Sequence, residues 1–249
     1  MRCIVCGKSC KEWSIKPVIT DELARAWRLT NRLRKQFDLR ESSLCPHCGC
    51  SFRSRALAQA IMAELPFNSV DIFSNWVKKA NRTNLRVVEI NACGQLHESL
   101  KKIKNLKYSE YGKGANNFWR LLLGGPRSED ITALSYKDNS FDLVLHSEVL
   151  EHVEDVNKAL AECRRILKSS GRCLFTVPVI MERKTKQCAW FDPKTGKIRY
   201  LEKPSYHGSG KKDDFLVFWE FGGDIVGKYG LEVVYRDKSR QMCVMMLKK

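Results

Sequence analysis

The chain has 249 residues, enough for one or two domains with a buried core, and a formal net charge of +16. It shows no apolar run of membrane-spanning length and no secretory leader. Its eleven cysteines, odd in number and scattered through strand-like and helix-like stretches, do not read as a disulfide framework. A reducing cytoplasmic setting is therefore expected, with some thiols buried and others holding metal. The basic excess favours polyanionic partners but does not choose among nucleic acid, phosphorylated or nucleotide-linked sugars, and a merely solvated surface.

Cys3-Ile4-Val5-Cys6-Gly7 and Cys45-Pro46-His47-Cys48-Gly49 are two C-x-x-C-G knuckles. Each turns the backbone so that its two thiolates face one point. Together, Cys3, Cys6, Cys45 and Cys48 supply the four sulfurs of a tetrahedral, structural Zn²⁺. A single pair would equally suit redox chemistry. Cys10 and Cys50 lie just outside the knuckles and are alternative ligands, whereas His47 sits inside one and is misplaced for the same ion. Four thiolates leave no open position, so the site is expected to staple the fold rather than catalyse.

Between the knuckles, Thr20 can cap a helix with Asp21 and Glu22 in its first turn. Leu23, Ala26, Trp27, Thr30, Leu33 and Phe37 then line one face. Residues 51–55, with Arg53 and Arg55, lead into a second helix carrying Leu57, Ala60, Ile61 and Leu65, closed by Pro66. Those arginines are solvated, paired with carboxylates or turned toward an anionic substrate. Residues 70–79 read as a further short helix. A zinc-knuckle and helical module over 1–66, followed by a second domain over 67–249, is the expected division.

From residue 84 the pattern changes to alternating strands and helices. Residues 84–90 and 106–110 read as strands, and 112–123 as a short helix or loop with Phe118 and Trp119 in the core. Residues 141–145 and 171–177 are two further β-rich runs. Between them Val149, Val153, Val156, Ala159, Leu160, Cys163, Ile166 and Leu167 recur at three- and four-residue steps, and Ser169-Ser170-Gly171 breaks the helix. Strand, amphipathic helix, strand is the repeat of a parallel sheet with a right-handed crossover. Ligands of such sheets lie at the carboxyl ends of the strands, here around His146, Ser147 and Glu148. After Pro178, residues 187–191 and 198–201 flank a turn-rich bridge and read as a hairpin. Residues 230–235 and 242–247 form a strand–turn–strand tail. An excursion of more than thirty residues from a sheet edge, over 181–214, usually acts as a lid or substrate wall.

Four pieces of this region carry a family resemblance: Asp130-Ile131-Thr132, Asp138-Asn139-Ser140-Phe141-Asp142-Leu143-Val144, Glu148-Val149-Leu150-Glu151-His152-Val153 and Leu167-Lys168-Ser169-Ser170-Gly171. In that order and spacing they closely resemble the second half of class I S-adenosylmethionine-dependent methyltransferases. The resemblance implies an α/β fold with a doubly wound, mostly parallel, seven-stranded Rossmann-like sheet. It also implies S-adenosyl-L-methionine as cofactor. Glu89-Ile90-Asn91-Ala92-Cys93-Gly94 then takes the place of the family's glycine-rich loop, with only Gly94 of its three spaced glycines. Asn91 stands in, because asparagine tolerates left-handed backbone. Glu110, about twenty residues after Glu89, falls where an acid grips the ribose hydroxyls. Asp130 and Ile131 would lie near the adenine, and His146 and Glu148 at the crevice.

The C-P-x-C-G knuckle with its Arg-rich helix entry, and Pro204-Ser205-Tyr206-His207-Gly208 with residues 216–222, resemble a bacterial subgroup. Many of its members work on sugars or cell-surface polymers. This implies methyl transfer to a small-molecule or glycan acceptor, nucleotide-linked or polymeric acceptors included. His207 in the lid is a candidate general base. His152 is either a second base or a cofactor-shaping residue. Two alternatives stand beside this: an RNA methyltransferase whose basic zinc module grips nucleic acid, and a degenerate binding protein whose eroded loop no longer holds cofactor. The oligomeric state is left open.

Overall fold

The computed structural model describes residues 1–68, 70–112, 125–207 and 215–249. Phe118, Trp119, Gly208 and the polar run before Phe215 lie outside the described residues.

Seven strands share one sheet: β1 (Val87–Ile90), β2 (Leu106–Glu110), β3 (Arg127–Ser128), β4 (Phe141–Ser147), β5 (Leu167–Thr176), β6 (Glu232–Asp237) and β7 (Met242–Lys248). Their order across the sheet is β6-β7-β5-β4-β1-β2-β3. The pairs among β1 to β5 are parallel, whereas β7 runs antiparallel to β5 and β6 antiparallel to β7. The order reverses between β1 and β4, which opens a crevice at the carboxyl ends of those strands.

The sheet is buried on both faces, as its apolar runs require. On one face Val87, Leu143, Leu145, Leu174 and Val244 share a core with α3 (Phe52–Glu64), α4 (Phe73–Ala80) and the short α5 (His97–Leu100). On the other, Val88, Val144, Phe175 and Met245 meet α6 (Val156–Ile166) and α7 (Ile225–Tyr229). The first core runs without interruption from Cys3, Cys45 and Cys50 through α3 into the sheet. The packing therefore does not break at residue 66; α3 belongs to the layer that covers the strands.

Three local readings differ from the sequence pattern. The single helix anticipated after Thr20 is two, α1 (Asp21–Ala26) and α2 (Asn31–Ser42). Thr20 and Thr30 each cap one, accepting from the N–H of Leu23 and of Leu33. Arg28, at φ 51°, turns the chain between them. Thr30 counted as part of an apolar face is in fact a second start signal. Likewise, the helix anticipated from Val149 begins only at Val156, where Asp155 caps it by accepting from Lys158 N–H; Leu150–His152 form a separate 3₁₀ turn. Finally, Ser169-Ser170-Gly171 does not separate helix from strand but sits inside β5. Phe141 pairs with Leu167 and Leu143 with Arg172, so the extra residues bulge. A Cβ on Gly171 would come within 2.9 Å of the Phe141 carbonyl.

The excursion after β5 is built from short pieces. Ala189–Asp192 and Lys197–Tyr200 pair antiparallel, the anticipated hairpin. Trp219–Gly222 lies between Val179–Ile180 and Lys186–Gln187. Its base is pinned by a backbone-to-backbone approach: a Cβ on Gly222 would fall 2.1 Å from the Arg183 carbonyl oxygen. No helix among the described residues is long and apolar enough to cross a membrane. Gly222→Ala is expected to destabilise the protein by about 1–3 kcal/mol, because main chain rather than a side chain must yield. Gly227→Ala, with nothing within 4 Å, should be neutral or slightly stabilising. Thermal or urea unfolding of the two variants checks the contrast.

Candidate active site

The crevice begins at the tip of β1. Alternation along that strand turns Glu89 toward the α3 face, where it is fully buried. Its carboxylate accepts from the Cys93 N–H at 2.8 Å and is 2.6 Å from His97 Nδ1, so it clamps the loop that leaves the strand. The Glu89 hydrogen bond holds His97 above its ordinary pKa, although partial burial works against the charge. Asn91 adopts φ 58°, the left-handed backbone anticipated for the missing glycine, and its Oδ1 accepts from Tyr111 N–H, tying the exits of β1 and β2 together. Gly94, at φ 56°, is where the loop touches α3: a Cβ there would meet Ser54 Oγ at 3.2 Å. Glu110 ends β2 half-buried and accepts from the Tyr108 hydroxyl at 2.8 Å. Beyond β3, Asp130 accepts from the Thr132 N–H and hydroxyl at an exposed turn, while Ile131 is buried beneath it. Glu89, Asn91, Gly94 and Glu110 thus converge on two adjacent strand tips.

Two expected cofactor contacts take other roles. Strand alternation sends the His146 ring to the opposite face from Glu89 and Ser147, where it is fully buried and stacked on Phe175 at 4.5 Å, beside Cys163 and Cys173. It belongs to the core beneath α6. Glu148, at φ 55°, is engaged by the fully buried Arg40, which donates to both carboxylate oxygens at 2.6 Å, and by the Thr176 hydroxyl at 2.9 Å. These bonds lock the strand tip. Arg53 completes the group, donating from Nε to Glu41 at 2.9 and 3.0 Å and from Nη1 to Ser147 Oγ. Burial opposes its charge, but Glu41 and Glu148 outweigh that and raise its pKa. Arg55 is structural too, donating to the carbonyls of Ser43 and Cys50 and lying 3.9 Å from the Trp13 ring centre. Arg40 and Glu41 carried no signal in the sequence, because an ion pair between distant segments leaves no period.

A second group forms past β4. Glu151 is almost fully buried, and its Oε1 lies 3.7 Å from His152 Nε2 and 3.6 Å from His207 Nε2. The two imidazoles are 4.6 Å apart. His152 Nδ1 is 2.9 Å from the Leu216 carbonyl. Neither oxygen of Glu151 nor either ring nitrogen of His207 has a hydrogen-bond partner among the described residues. His207 is carried by an antiparallel bridge between Tyr206 and Leu216, and the Phe218 N–H donates to the Glu151 carbonyl, so both sides of the group are fixed by main chain. Trp27, from the turn between α1 and α2, meets His207 edge-on at 5.3 Å and donates its indole N–H to Ser205 Oγ. Burial pushes His152 below its ordinary pKa. It would raise Glu151, but His207 and His152 hold that carboxyl low. His152 and His207 are thus brought together; Glu151, a motif residue with no assigned role in the sequence, joins them.

At the amino terminus, Cys3, Cys6, Cys45 and Cys48 converge so that their sulfurs all lie within 4.8 Å of one another. The Cys3–Cys48 and Cys6–Cys45 Sγ pairs are 3.8 and 3.9 Å apart. A tetrahedral zinc with 2.3 Å bonds requires about 3.8 Å between sulfurs, so the cluster is compatible with that ion. Gly7 and Gly49, at φ 77° and 71°, each donate back to the first cysteine of their knuckle. Cys10 and Cys50 are not part of the cluster, and His47 Nε2 is engaged by the Ser9 carbonyl.

Residues 47–175 match the family model described as a methyltransferase domain. The chain belongs to that family. With the sheet order above, the methyltransferase has the class I, Rossmann-like fold, and its family supports S-adenosylmethionine as the methyl donor. An uncharacterized protein of Methanocaldococcus jannaschii is 32% identical over 145 residues, covering 58% of this chain and 45% of its own. The methyltransferase thus spans under half the length of that curated relative. Among solved structures it is similar to the glycopeptide N-methyltransferase MtfA complexed with S-adenosylmethionine, at 13% identity, 81% and 96% coverage of the two chains and a TM-score of 0.42. It is also similar to an S-adenosylmethionine-dependent methyltransferase from Mesorhizobium loti, at 14% identity, 71% and 98% coverage and a TM-score of 0.40. The strand tips fit the donor's nucleoside end: a half-buried carboxylate closes β2, and left-handed Asn91 and Gly94 turn the main chain sharply out of β1.

The His97–Glu89 pair gives a pH dependence of fixed sign. A raised folded pKa contributes stability that is complete below the unfolded value, about 6.5, and is lost as pH rises through the folded value. The wild type is expected to lose melting temperature between pH 6 and 8 by an increment that His97→Gln does not show. Thermal melts across that range measure it.

Proposed function

We propose that this methyltransferase transfers the methyl group of S-adenosylmethionine to a hydroxyl or amine of a small or sugar-containing acceptor, nucleotide-linked or polymeric sugars included. The acceptor's proton is removed at the Glu151–His152–His207 group. What supports this reading is the convergence of that group: two members leave the end of β4, and the third comes from the excursion that follows β5. Bound at the strand tips, S-adenosylmethionine supplies an electrophilic methyl on a sulfonium. The protein's part is to orient the acceptor in line, exclude water and take a proton.

In this reading Glu110 accepts from the ribose diol, Glu89 holds the loop through Cys93 and His97, and Asn91 and Gly94 give it close backbone approach. Asp130 and Ile131 border the adenine. Trp27 and the segment from 181 to 207 wall off the acceptor, in the manner of the sugar-modifying subgroup that the sequence resembles. His207 is the member whose loss the reaction cannot survive, because its ring sits on the excursion. His152, held by the Leu216 carbonyl, mainly shapes the pocket. Zinc at Cys3, Cys6, Cys45 and Cys48 staples residues 1–66 to the sheet.

His207→Ala should lower turnover about 10²–10⁴-fold while leaving S-adenosylmethionine affinity unchanged. Turnover is read as S-adenosylhomocysteine release with nucleotide sugars and glycans, and affinity by calorimetric titration. Unchanged turnover removes His207 from the reaction, and absence of binding heat defeats the donor assignment. For the zinc, chelation or Cys48→Ser should lower the melting temperature of the whole protein in one transition, because the cysteine cluster and the sheet share one core. An unaltered melt would show that no structural metal is held.

A further inference from the structure

We propose that Glu151, His152 and His207 form a second metal site, one that takes a divalent transition ion through two imidazoles and a carboxylate. The distances carry the case. A Glu–His hydrogen bond closes to about 2.7–3.2 Å. Here two imidazole nitrogens face the same carboxylate oxygen from 3.6 and 3.7 Å, too far to share a proton with it. Ligands on a tetrahedral ion with bonds of 2.0–2.2 Å stand about 3.4 Å apart, within a few tenths of an ångström of what is found. All three ligand atoms lie within 4.8 Å of one another.

Chemistry agrees with geometry. Glu151 is 1% exposed and neither of its oxygens has a hydrogen-bond donor among the described residues, a costly state that a bound cation relieves. His152 Nδ1 is committed to the Leu216 carbonyl, which makes Nδ1 the protonated nitrogen and leaves the Nε2 lone pair aimed at the group. Metal-ligating histidines are oriented by this kind of outer hydrogen bond. Two imidazoles and one carboxylate suit zinc, iron, cobalt or nickel rather than magnesium or calcium. The site differs from the cysteine cluster in one respect that matters: three protein ligands leave a position open.

The ion's role rests on the acceptor reading above. An acceptor hydroxyl in the open position would give up its proton more readily, to Glu151 Oε2, the carboxylate oxygen that does not face the imidazoles. The acceptor's oxygen then forms the O–CH₃ bond as the sulfonium C–S bond breaks, with the electron pair leaving on sulfur.

Cobalt(II) titration of the metal-free protein tests the site. The expected result is one equivalent bound with no thiolate-to-cobalt charge-transfer band, separable from any equivalent at the cysteines that shows that band. Glu151→Gln and His207→Ala should each abolish the non-thiolate equivalent and leave the thiolate band, which also reports that the fold is intact. If the wild type binds no such equivalent, or if His207→Ala retains it, the metal site is overturned. Loss of turnover in His207→Ala without any non-thiolate equivalent in the wild type overturns the metal and leaves the acceptor reading standing. Loss of the equivalent with unchanged turnover supports the metal and defeats the acceptor reading.

Discussion

The buried ion pair between Arg40 and Glu148 is the constraint on which the rest of the structure depends. Arg40 is fully buried on α2, and Glu148 sits at the exit of β4 in left-handed backbone that a non-glycine residue adopts only when its surroundings enforce it. Taking a guanidinium out of water costs several kcal/mol, and only good geometry with further hydrogen bonds offsets this. The geometry is good and the carboxylate is well served: Thr176 donates to it, and Arg53 and Glu41 add one charge of each sign nearby, whereas Arg40 Nη1 has no hydrogen-bond partner among the described residues. Two cations and two anions in one patch leave it formally neutral. That patch sets where the amino-terminal helices meet the strand tips, and so fixes the roof of the crevice.

From this anchor the other parts take their places. Arg53 reaches Ser147 at the end of β4, and Ser54 lies against Gly94 in the loop that leaves β1. Helix α3 therefore touches the exits of both β1 and β4. The amino-terminal residues also support the segment that follows β5. Arg183 donates to the carbonyls of Trp27 and Arg28, and Trp27 reaches Ser205, so the excursion after β5 leans on the turn between α1 and α2.

Much of this was legible in the sequence because it is periodic or positional. The βαβ repeat, the antiparallel tail and the hairpin follow from alternation and turn residues. The knuckles follow from cysteine spacing, and Asn91 from the steric tolerance of its side chain. Parity alone determines that His146 faces α6, and parity can be counted only when the strand's register is known; a strand tip looks the same from either side. Arg40 pairs with a residue 108 positions away, and Glu151 is met by His207, contributed from beyond the hairpin. Neither relation repeats, so neither leaves a pattern. The division of one helix into two hinged on Thr30, whose hydroxyl serves a cap although its methyl group suits an apolar stripe.

Trp27 has a consequence for recombination between relatives. The wall beside His207 is assembled from two stretches 178 positions apart in the chain, one ahead of the knuckle at Cys45 and one after β5. A chimaera that imports only the later stretch would set a foreign loop against a native indole and lose the serine that receives its proton. On the acceptor reading proposed above, selectivity in such hybrids should travel with the pair, so the two stretches form a single unit of inheritance.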